Sequence, residues 1–133
     1  MNNYYIKNDL IDYADMNGFH NYTGHKRDDA IRHVLPDSAT LFSEYRGSYQ
    51  GELVLLIECD GYVWLHFDYF GSCSHCDPFL DNEKSWTEKM LREAYCFENS
   101  DDLRTYLDES DDIRWSFEAL KDDIREMLDE NFE

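Results

Sequence analysis

Positive charge is what this chain has least of. Lysine and arginine number 12 against 30 aspartates and glutamates, a formal net charge of −18. Nucleic acid and anionic membranes are held largely by cations that neutralise phosphates, so this deficit excludes both as direct ligands. Proline is nearly absent, at two residues, and the six glycines are scattered. No Pro/Gly/Ser linker or internal repeat therefore divides the 133 residues, and a single domain over 1–133 is expected. No apolar run approaches the roughly 20 residues that a bilayer span requires. The N-terminal stretch MNNYYIKNDLIDY lacks the basic-then-apolar order of a secretion signal. The expected setting is a cytoplasm, where Cys59, Cys73, Cys76 and Cys96 stay reduced or metal-bound.

Catalytic signatures are missing as well. There is no phosphate-binding glycine loop, no Gly-x-Ser-x-Gly elbow, no His-Glu-x-x-His pair and no calcium loop. His20, His25 and His33 show no ligand spacing and read as surface or boundary histidines. Acidic pairs such as Asp28-Asp29, Asp101-Asp102 and Asp122-Asp123 are what this composition produces by chance. The chain is read as a non-enzyme with no cofactor.

Aromatic residues are abundant, with ten Tyr, eight Phe and three Trp. They supply enough apolar area for a core, so acidity here does not imply disorder. The centre of the chain, Ser48 to Phe79, reads as a hairpin. Leu53 to Ile57 is apolar on both faces and suits an inner strand. Tyr62 to Phe70 alternates: Val63, Leu65 and Phe67 share one face, and Trp64, His66 and Asp68 the other. Asp60-Gly61 between them suits a two-residue turn, and Gly71 and Pro78 end the pairing. Ala39 to Tyr45 predicts a third strand.

Helices are expected over Tyr4 to Met16, closed by Asn17-Gly18, and over Asp28 to Leu35, stopped by Pro36. Ser85-Trp86-Thr87-Glu88 fits a capping box, followed by a helix carrying Met90, Leu91, Ala94, Tyr95 and Phe97. A short helix starts at Ser100. The last and longest starts at Ser110, about 18 residues and about 27 Å long. Its stripe is Ile113, Phe117, Leu120, Ile124, Met127 and Leu128, expected to dock on the hairpin. The fold class is α+β: a small antiparallel sheet on a central hairpin, packed by short N-terminal helices and a helical, acidic C-terminal third.

Acidity is concentrated late in the chain. Glu98 to Glu133 holds fourteen acidic and four basic residues. Those at helix starts are favoured by the helix dipole, but Glu118, Asp122, Asp123, Glu126, Asp129 and Glu130 run on to a helix end, where the dipole opposes them. Solubility alone also accounts for net acidity.

Cys73-Ser74-His75-Cys76 has the spacing of one zinc knuckle, but no second CxxC exists. Cys59, Cys96, His66 and His75 are the other ligand candidates. The competing readings are a redox pair, for which the thioredoxin context is missing, and a tight loop of small residues with inert thiols. Gly71-Ser72-Cys73-Ser74-His75-Cys76-Asp77, preceded by Tyr49-Gln50-Gly51-Glu52, resembles a motif of small proteins encoded by bacteriophages. Those commonly carry Gly in place of His75. The resemblance spans about residues 48 to 79 and implies a phage origin, hence a bacterial host cytoplasm, but no activity.

The leading expectation is an acidic inhibitor that mimics nucleic acid and occupies a basic, nucleic-acid-binding host protein, with a defence protein of the restriction or CRISPR kind as target. The expected contact residues are Asp111, Asp112, Glu118, Asp122, Asp123, Glu126, Asp129 and Glu130. The alternatives are a zinc-binding interaction module using Cys73 and Cys76, and a virion or assembly component associating through Trp64.

Overall fold

The computed structural model describes residues 4–22, 24–72, 77–110 and 118–132. Its elements in order are two 3₁₀ turns, Leu10–Tyr13 and Met16–Asn21, then α1 (Arg27–Val34), β1 (Thr40–Gly47), β2 (Gly51–Cys59), β3 (Tyr62–Phe70), α2 (Pro78–Asp81), α3 (Glu83–Glu93), β4 (Tyr95–Phe97), α4 (Ser100–Glu109) and α5 (Leu120–Asn131). The four strands form one antiparallel sheet in chain order, so β2 and β3 are both internal. The class is α+β.

The central hairpin turns at Asp60-Gly61, both in the left-handed region (φ 52° and 83°). That is the geometry a two-residue turn between twisted strands demands, and it aligns Cys59 with Tyr62. From this register the alternation of side chains builds two cores. Leu53, Leu55, Ile57 and Trp64 face α1, α3 and the N-terminal turns. Val54, Leu56, Val63 and Leu65 face α4 and α5. The sheet is thus a middle layer, buried on both sides.

Several expectations are corrected. Tyr4 to Met16 is not a helix: Ile6 bridges to Cys96, and Asn17-Gly18 lies inside the second 3₁₀ turn. The Ile6 N–H donates to the Cys96 carbonyl at 2.8 Å, a sheet contact that local periodicity does not reveal. Tyr95 and Phe97 are not helical. They belong to β4, which pairs Phe97, Cys96 and Tyr95 with Val63, Trp64 and Leu65. The C-terminal third is therefore not wholly helical. The cap of α3 is Asn82, whose Oδ1 accepts from the Ser85 N–H at 3.0 Å; Ser85 sits inside the helix. Ser110 closes α4, Glu118 and Ala119 form a turn, and α5 begins at Leu120. The rest of the expected helix start, 111–117 with Ile113 and Phe117 of its stripe, lies outside the described residues; α5 itself is twelve residues, about 18 Å long. Trp64 is fully buried, its indole N–H donating to the Asn8 carbonyl at 2.9 Å, so it offers no surface for assembly. Among the described residues no helix is long and apolar enough to cross a membrane.

Candidate functional site

The acidic surface is built by α4 and α5. On α5 the apolar residues Leu120, Ile124, Met127 and Leu128 are buried against the sheet. That leaves Glu118, Asp122, Glu126, Asp129 and Glu130 exposed and Asp123 half-buried, with the Asp122 side chain 92% exposed. The last turn has no basic residue, so the dipole there is uncompensated. Asp111 and Asp112 lie outside the described residues.

This surface is not a bare row of carboxylates. Asp122 and Asp108 both hold Arg125, at 2.9 and 2.8 Å. Asp129 holds Arg104 at 2.7 Å, and Glu118 holds Lys121 at 2.9 Å. Asp123 meets Arg46 at 3.3 Å, and Arg46 also donates to the Ala119 carbonyl, which pins β1 to the start of α5. The carboxylates raise the guanidinium pKa of Arg125, its hydrogen bond to Asp108 foremost, so it stays charged. Across the described parts of 98–132, eleven carboxylates still face three basic side chains, a net −8. Glu126 and Glu130 make no ion pair among the described residues. Exposed pairs of this kind are worth little each.

Cys73 and Cys76 lie outside the described residues; the described residues on either side of them, Gly71 and Asp77, are joined. Asp77 is buried; it accepts from the Gly71 and Phe79 backbone N–H groups at 3.1 and 2.9 Å and pairs with Arg27. The Arg27 guanidinium sits over Trp86, Phe79 and Tyr45, at 5.0, 5.3 and 5.8 Å from the ring centres. Tyr45 donates to Asp28 at 2.7 Å, and burial followed by that bond pushes its hydroxyl up to about 12.

Cys59 is at the far end of the hairpin. Its partner Tyr62 and Phe70, which precedes the loop, are eight residues apart, about 25 Å along the strand. Cys96 lies opposite Trp64, about 20 Å from the same end. Both are buried free thiols; burial raises Cys59 and pushes Cys96 up to about 11, so they are poor nucleophiles and poor ligands. His66 pairs with Asp68, His33 with the Gly18 carbonyl, and His25 with Glu83. Among the described residues no group of three His, Cys, Asp or Glu is close enough to hold a metal ion.

One feature escaped the sequence reading. β4 pairs with β3 only at Val63–Leu65, so His66–Phe70 runs past its end. There a cleft of about 560 Å³ opens between β3, α2 and α3. At its side Asp68 accepts from Trp86 Nε1 at 2.6 Å, the Tyr69 N–H at 2.8 Å and His66 Nε2 at 3.3 Å. Burial works to raise the Asp68 pKa, but the His66 and Tyr69 bonds, the His66 charge and the Trp86 bond outweigh it and hold the carboxyl below its ordinary value. The alternation putting His66 and Asp68 on one face was legible; the approach of Trp86, from a separate helix, was not.

No family model matches this chain, and neither the curated proteins nor the solved structures contain a match.

Proposed function

We propose that this protein is an acidic binding protein that inhibits a basic, nucleic-acid-binding partner by occupying its phosphate-binding surface. The observation that carries the reading is the division of α5, with its apolar stripe sealed on the sheet and its carboxylates turned outward. A protein that grips nucleic acid through Lys and Arg gains its affinity by releasing counterions from phosphates. A carboxylate surface on a rigid helix offers the same exchange without the nucleic acid. At about 18 Å, α5 spans roughly five base-pair steps of 3.4 Å, so α4, carrying Asp101, Asp108 and Glu109, must extend the contact. Arg104 and Arg125 then act as internal stand-ins that the partner's cations displace. The phage-like loop supports a host defence protein as that partner.

Capture from a bacterial host lysate, at low and high salt and with added DNA, tests this. Retention of one nucleic-acid-binding protein, released by DNA and by salt, is the expected result. Retention of nothing, or of partners indifferent to both, rejects it.

A further inference from the structure

We propose that the cleft between β3 and α3 binds a planar organic cation, a guanidinium group. The site lies on the opposite side of the sheet from α5 and does not rest on the reading above. Its volume, about 560 Å³, is within the roughly 300–1,000 Å³ usual for small-ligand sites. Its wall has aromatic character: His66 and the largely buried Trp86 meet edge to face at 6.0 Å, and Tyr69, 37% exposed, also lines it. Its charge is acidic, with Asp68, Asp81 and Glu93 against Lys89 and His66, so carboxylates outnumber cations even with the imidazole protonated. An anion meets net repulsion there, in a molecule already at −18. A flat cation that stacks on rings and takes two carboxylate bonds at once satisfies both features.

Asp68 is the fixed point. Its side chain is 21% exposed and that of His66 is 12% exposed. Among the described residues three donors occupy three of its roughly four acceptor positions, so one remains for a ligand. Asp81 and Glu93, both exposed, supply further acceptors at the mouth. The floor is held from behind, because Arg27 lies over the same indole that donates to Asp68. The pocket is thus organised before a ligand arrives, which lowers the entropic cost of binding.

The test uses the full ¹⁵N-labelled chain and reads the Trp86 indole N–H, assigned with Trp86→Phe. Three titrants are compared: agmatine, a capped Gly-Arg-Gly peptide, and sodium acetate. Saturable movement of the Trp86 resonance with agmatine, none with acetate, and binding about tenfold weaker in Asp68→Asn are expected. The Asp81→Asn/Glu93→Gln variant, altered only at exposed positions, should weaken binding similarly with the fold intact. Binding of agmatine alone assigns a free small cation; binding of the peptide as well assigns an arginine side chain of a partner. The proposal fails if neither cation moves the Trp86 resonance saturably. It fails equally if acetate does so, or if the rim variant binds as the unaltered chain does.

Discussion

Arg27 and Asp77 show what a single residue decides here. Their side chains are 5% and 6% exposed, and among the described residues Arg27 Nε has no hydrogen-bond partner. A buried charge survives only through its pair, so Arg27→Leu should cost about 3–5 kcal/mol in urea unfolding; a loss under 1 kcal/mol, the range of exposed pairs, would show the pair to be solvated. Asp68 has a folded pKa below its unfolded value, so it stabilises the fold above the ordinary carboxylate range and loses that contribution as pH falls through its folded value. The stability gap between the unaltered chain and Asp68→Asn should therefore close under acid, and a gap constant with pH would contradict this. Cys96 behaves oppositely. Raised to about 11 from 9.0, it favours the fold below pH 9 and loses that contribution as pH rises toward 11. Cys96→Ala should flatten the alkaline loss of stability between those values, measured by urea titration at each pH.

At the scale of elements, the cap of α3 separates two readings. Asn82→Ala should cost about 1 kcal/mol and Ser85→Ala much less, because only Asn82 accepts a backbone N–H at the helix start; the reverse order would restore the capping box. Leu128→Ala on α5 should cost about 2–5 kcal/mol, since it opens a cavity in the core that α5 shares with Val54, Leu56 and Leu65. The central hairpin was legible because its evidence is local: two apolar runs, an alternation and an Asp-Gly turn, all between Leu53 and Phe70. β4 was not, because three residues with helix-compatible spacing become a strand only when β3 offers them an edge. The expected start of the last helix, from Ser110-Asp111-Asp112, falls mostly outside the described residues, where Ser110 is seen only as the residue that ends α4. The acidic surface was legible as composition. Its pairing with Arg46 and Arg104, 77 and 25 residues away, was not, because periodicity carries no information about partners so distant.

The whole molecule is a sheet buried on both sides, with different chemistry on its two coats. One coat, α1 and α3, holds the Arg27–Asp77 clamp and the Asp68 cleft; the other, α4 and α5, holds the densest negative charge. A molecule at −18 repels itself, so its melting temperature should rise as sodium chloride is added from low ionic strength, where screening is weakest. The most direct measurement compares lysate capture by the unaltered chain with capture by the Asp122→Lys/Glu126→Lys/Asp129→Lys/Glu130→Lys variant. These positions are exposed and leave the buried stripe untouched, so the variant should fold. Mimicry predicts that the DNA-competed partner disappears from the variant's eluate. Undiminished capture of the same partner would show that the α5 surface is not what it recognises.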